Sequence, residues 1–169
     1  MGMISSTLRR PYVAVIGASN ATEWELGTAE ALGRLLADAG CVLVCGGLGG
    51  VMNAAARGAE AGGGVSIGIL PGDERDSASR HLTVAIATGF GEARNAIVAS
   101  SADAVIAVGG EFGTLSEIAL ALKVGTPVIG VGTWELGRDD LDRDPIVRAE
   151  TADEALEHLR RALPGLQDA

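Results

Sequence analysis

The residues able to do chemistry in this chain collect in four glycine-rich segments. These are Gly17-Ala18-Ser19-Asn20, Gly46-Gly47-Leu48-Gly49-Gly50-Val51-Met52-Asn53, Gly89-Phe90-Gly91-Glu92-Ala93-Arg94-Asn95, and Gly109-Gly110-Glu111-Phe112-Gly113-Thr114-Leu115-Ser116-Glu117. A glycine turn that opens a helix lets backbone N–H groups approach an anion closely, and the helix dipole adds positive potential there. Gly46, Gly47, Gly49 and Gly50 form one such turn, and Gly109, Gly110 and Gly113 a second. Neither matches GxGxxG strictly, and GxxxxGK[ST] is absent, so the chemistry indicated is phosphate binding without a dinucleotide or P-loop fingerprint.

Around these turns stand side chains suited to a small phosphorylated ligand. Arg94 falls where a helix begins, a position the dipole disfavours for a cation, and its guanidinium can grip phosphate with two N–H groups. The chain has three asparagines, Asn20, Asn53 and Asn95, and two phenylalanines, Phe90 and Phe112, and all five lie in these segments. The phenylalanine rings either stack on a base or pack the loops together. Thr114 and Glu117 have capping-box spacing, so Glu117 either caps a helix or serves catalysis. Glu111 either brings a second carboxylate near Glu117, where repulsion would raise one pKa, or is a solvent-facing turn residue. Ser19, Met52 and Thr114 complete the candidate binding set with Gly17.

These segments must be positioned by a regular frame. Apolar runs at 12–16, 42–45, 65–70, 82–87, 104–108 and 128–131 are short and mostly uninterrupted, as strands covered on both faces require. Helical stripes lie between most of them: Leu26 to Ala39, Val51 to Ala59, Ile97 to Ser101, Leu115 to Leu122, and Ala155 to Leu163. The alternation predicts an α/β fold, a Rossmann-like three-layer sandwich with a mostly parallel sheet of six to seven strands. The seventh is a short edge strand at 146–148. One domain is expected over residues 11–165, after an irregular tail at 1–10. Ligands in such sheets bind beyond the carboxyl ends of the strands, where the four segments fall.

Composition narrows the partners. Hydrophobic residues make up 47% of the 169-residue chain and aromatics 3%, so the core is built from Ala, Val, Ile and Leu. A net charge of -9 argues against a nucleic-acid partner. Cys41 and Cys45 are four apart in one run, too far to bridge along a strand, and read as reduced core thiols. No His and Cys grouping has metal-ligand spacing, and Pro145 spoils the calcium-loop pattern of Asp140, Asp142 and Asp144. The absence of a long apolar segment points away from a membrane and towards a cytoplasmic setting.

The segments GGLGGVMNAAARGA and GGEFGTLSE, at this spacing, resemble the lysine decarboxylase-like superfamily. That superfamily includes the Lonely Guy phosphoribohydrolases and the molybdenum-cofactor carrier proteins, and the resemblance runs from Val13 to about Val131. It implies that Arg94 and Glu117 occupy the places of the hydrolases' arginine and essential glutamate, and that Gly113 and Thr114 belong to their phosphate turn. The hydrolase pattern has proline where this chain has Gly109, glycine at Glu111 and lysine at Asn95, and its methionine near Gly91 is missing. These departures place the chain nearer the carrier branch. The implied function is binding of a nucleotide-like or pterin-like phosphorylated ligand, with no cofactor required and a nucleotide, phosphate or molybdenum cofactor as the molecule held. The alternative is hydrolysis of nucleoside 5′-monophosphates to base and ribose 5-phosphate. A homodimer or higher homo-oligomer is also implied.

Overall fold

A computed structural model describes residues 10–166. The expected tail at 1–10 therefore lies, but for Arg10, outside the described residues. Seven strands form one sheet, β1 (Tyr12–Gly17), β2 (Val42–Cys45), β3 (Val65–Leu70), β4 (Val84–Ala87), β5 (Ala104–Val108), β6 (Val128–Val131) and β7 (Val147–Ala149). Their order is β4-β3-β2-β1-β5-β6-β7, and every pairing is parallel. The helices are α1 (Glu23–Asp38), α2 (Gly50–Ala61), α3 (Asn95–Ser101), α4 (Phe112–Lys123) and α5 (Ala152–Ala162). This is the Rossmann-like α/β sandwich the apolar runs predict. Two strand boundaries shift: β4 starts two residues late because Leu82 packs on the core, and β7 sits one residue later than expected.

The central strands β2, β5 and β6 are buried at every residue, which explains their unbroken apolar sequence. Alternate residues face two cores. One, built on Val13, Val15, Leu43, Ile106 and Ile129, is covered by α1, α2 and α5. The other, built on Ala14, Ile16, Val44 and Val105, lies beneath α3 and α4. Both cysteines are free and buried, and burial pushes each thiol up to about 11, so they are protonated core residues.

The small residues of α2 bring it close to α1 within the protomer. A Cβ at Gly33 would strike the Ala55 carbonyl, and one at Gly58 the Glu30 carbonyl. This packing holds α2, and so the turn that starts it, against β1 and β2.

The second helical layer is thinner. The seven-residue α3 and the twelve-residue α4 lie over β1, β2, β5 and β6, and among the described residues neither packs extensively on β3 or β4. Val84 and Ile86, which register with Ile67 and Ile69, stay 44% and 46% exposed. The layer is also nearly free of surface charge. Lys123 is the one exposed ionic side chain on α3 and α4, whereas α1, α2 and α5 carry twelve charged residues.

Candidate functional site

Crossovers leave β1 towards β2 and β5 towards β6 on opposite sides, so strand order reverses between β1 and β5. A cleft of about 300 Å³ opens there, at the carboxyl ends of β1, β2 and β5. It is bounded by Gly17 and Ser19 after β1, by Gly46 and Met52 around the turn after β2, by Arg94 and Asn95 before α3, and by Glu111, Gly113, Thr114 and Glu117 at the start of α4. Ile16, Ala18, Leu48, Pro71 and Glu92 complete the walls, and sequence reasoning did not single these out. Pro71 and Glu92 come from the ends of β3 and β4, whose position beside the cleft depends on the sheet order.

Other expected positions lie away from the wall, with reasons visible in their neighbours. Gly47 has φ +78 and packs on Leu70 and Gly68, and Gly50 has φ +58 and lies against the Ala18 and Ser19 carbonyls. Gly49 is the N-cap of α2. Gly109, at φ +53, makes room for the Glu25 carboxylate, and Gly110 makes room for Thr114. Asn20 is exposed. Asn53 accepts a hydrogen bond from Ser79 Oγ at 2.7 Å. Phe112 is 78% exposed and its ring centroid lies 5.5 Å from that of Trp134. Phe90 follows β4 at the sheet edge, four strand spacings from β5, so the two phenylalanines do not flank one position.

Arg94 dominates the electrostatics. It ends a short 3-10 turn (Gly91–Arg94) directly before α3 and is only 8% exposed. Its Nε and Nη1 are buried without a hydrogen-bond partner. Such groups cost free energy unless something pairs with them, and the residue that carries them borders the cleft. The guanidinium fits because position 46 is glycine: a Cβ there would occupy the place of Nη1.

Glu117 is 7% exposed, and burial pushes its carboxyl up to about 7, against the opposing pull of Arg94. The expected repulsion from Glu111 is not among the causes. The expected capping box at Thr114 and Glu117 is also absent. The helix α4 starts earlier, at Phe112, with Glu111 as N-cap and no side-chain cap, so Glu117 sits in its second turn. The box is instead at Thr22 and Glu25, opening α1. Glu117 is thus released from helix capping and faces the cleft. Asn95 Nδ2 donates to Ser116 Oγ at 3.2 Å, tying the starts of α3 and α4 together.

Among the described residues no three His, Cys, Asp or Glu side chains gather where they could hold a metal ion. No helix among them is long and apolar enough to cross a membrane.

A parallel sheet with a polar cleft at its switch point defines a Rossmann-like α/β protein. More narrowly, the chain belongs to the SLOG cluster4 family, whose model matches residues 10–159. It is 47% identical over 116 residues to an uncharacterized protein of Archaeoglobus fulgidus, covering 69% of this chain and 76% of that one. Its fold is similar to that of the molybdenum cofactor binding protein from Rippkaea orientalis, with TM-score 0.83 and 38% identity over 90% of this chain and 97% of that one. It is also similar to the molybdenum cofactor carrier protein from Chlamydomonas reinhardtii, with TM-score 0.80 and 33% identity over 92% and 99% of the two chains. The superfamily expected from the two glycine motifs is therefore the right one.

Proposed function

We propose that this protein binds a phosphorylated nucleotide-like or pterin-like molecule, with Arg94 as the phosphate anchor. The observation that carries the reading is the buried guanidinium whose Nε and Nη1 have no partner. A planar guanidinium offers paired N–H donors that match two oxygens of one phosphate. Gly46, Gly113 and Thr114 border the same space, and the N-terminus of α4 adds positive potential. The similarity to two molybdenum cofactor binders supports a pterin ligand of that kind, with the metal arriving as part of the cargo. The donor set fits such a cargo through its phosphate. GMP and a phosphorylated pterin should bind detectably in calorimetric titrations, and guanosine should not. Equal binding of guanosine and GMP would contradict the phosphate anchor.

Glu117 favours a second reading. A carboxyl poised near pH 7 beside a phosphate anchor suits general acid catalysis of N-glycosidic cleavage. Incubation with AMP, followed by chromatography for free adenine, tests it. Release that Glu117→Gln abolishes would establish hydrolysis, and no release by concentrated protein would remove it.

The assembly belongs to the same proposal. With net charge -9, two copies repel one another on most faces, and the nearly uncharged α3–α4 layer beside Val84 and Ile86 is where they can meet. A second copy seated there would bury that apolar strip. Sedimentation analysis should show a dimer or larger species, and Ile86→Glu should shift it to monomer without loss of helicity. A wild-type monomer at roughly 100 µM, well above common dimer dissociation constants, would overturn this.

A further inference from the structure

We propose that Trp24, Phe112 and Trp134 form a stacking platform on one side of the cleft mouth, which takes the flat heterocycle of the ligand. This rests on the phosphate reading above and adds to it where the other end of the ligand lies.

The chain has five aromatic residues, and three of them converge at the ends of β1, β5 and β6. Phe112 is the first residue of α4, between Glu111 and Gly113, which both border the cleft. Its ring rests on Trp134, tilted by 38°, and leaves its other face in solvent. Trp134 is held in place by its own indole N–H, which donates to the Glu111 carbonyl at 3.2 Å. Trp24 is 52% exposed and lies on Gly132, two residues before Trp134. Between them, Thr133 Oγ1 donates to the Gly109 carbonyl, which binds this loop to the start of the second glycine turn.

The arrangement is a backed and anchored set of rings rather than one stray exposed side chain. A single exposed apolar residue needs no explanation. An exposed ring backed by a second, with a third exposed on the neighbouring Gly132 and a polar cleft with an unpaired cation nearby, offers what a phosphate-bearing heterocycle requires: charge at one end and π surface at the other. A sugar phosphate without a base would use only the first.

The probes are GMP, 6-hydroxymethylpterin phosphate and ribose 5-phosphate, followed by calorimetry and by tryptophan fluorescence. Both tryptophans of the chain belong to the platform, so the fluorescence reports on it directly. The heterocyclic phosphates should quench or shift the emission and bind more tightly than ribose 5-phosphate. Phe112→Ala should weaken them by roughly tenfold, in line with one lost stacking contact, and leave ribose 5-phosphate nearly unchanged. Trp24→Ala should act in the same direction. Because Phe112 and Trp24 are exposed, neither change removes core packing. Unaltered binding of the heterocyclic phosphates by both variants would overturn the platform, as would tight binding with no fluorescence response. Failure of wild type to bind any of the three probes would instead overturn the phosphate anchor, and the platform with it.

Discussion

Arg94→Leu should leave the protein as stable as wild type, or more stable, while it loses about a hundredfold or more in affinity for phosphate-bearing ligands. The two effects have opposite signs because the side chain has no partner in the ligand-free protein. Its Nε and Nη1 are buried without hydrogen bonds, and no ion pair within 4 Å joins it to any carboxylate among the described residues. A buried, unpaired cation is a cost that leucine removes, while leucine retains much of the packing beside Gly46. When phosphate is present the balance reverses, because two charge-assisted bonds in a partly dry cleft disappear together. Arg94→Lys should recover only part of the affinity, since an ammonium keeps the charge but not the planar pair of donors. Thermal denaturation and calorimetry on the same preparations check both halves. A marked fall in Tm with unchanged affinity would make Arg94 a structural residue.

Glu117→Gln should make the ligand-free protein relatively more stable as pH rises. The folded carboxyl, pushed up to about 7 by burial, holds its proton more tightly than the unfolded carboxyl near 4.5. Below about pH 4.5 both states are protonated, and the favourable contribution of the neutral buried acid is fully present. As pH climbs from there through 7 the unfolded state ionises first, and that contribution is lost. At about 1.4 kcal/mol per pKa unit, the loss is on the order of 3 kcal/mol, complete somewhat above pH 7. The glutamine variant has no such term, so the difference between the two proteins should be small at pH 5 and largest near pH 8. Urea unfolding at these two values measures it, and parallel curves for the two proteins across that range would contradict the assignment. Phosphate beside Glu117 also disfavours its ionisation, so ligand binding near pH 7 should be accompanied by proton uptake.

The frame of the site was readable because its strands are buried on both faces. Continuous runs such as Val42–Cys45 and Ala104–Val108 leave little choice of element, and glycine clusters at their ends mark the turns. Local signals were weaker guides to individual roles. Thr114 with Glu117 and Thr22 with Glu25 have the same spacing, yet only the second pair caps a helix. What separates them is where each helix begins, and α4 begins three residues before the first threonine would allow.

Gly46 reads as a place for an anion to approach the backbone, whereas in the fold it makes space for the guanidinium of Arg94, 48 positions away. No pattern within the turn announces a partner so distant. The tryptophans were missed for a similar reason. Trp24 and Trp134 sit outside the glycine segments, and only the order β1-β5-β6 brings them to one rim. Exposure marks Trp24 and the contact with Phe112 marks Trp134, and both are properties of the fold.

The cleft at the ends of β1, β2 and β5 is most directly tested by a crystal structure of the protein with bound GMP. The phosphate should lie within hydrogen-bond distance of the Arg94 guanidinium, between the Gly46 and Gly113 turns, with the base towards Phe112. A phosphate bound elsewhere, with the Arg94 guanidinium still unpartnered, would contradict the role given to the glycine turns and the arginine they accommodate.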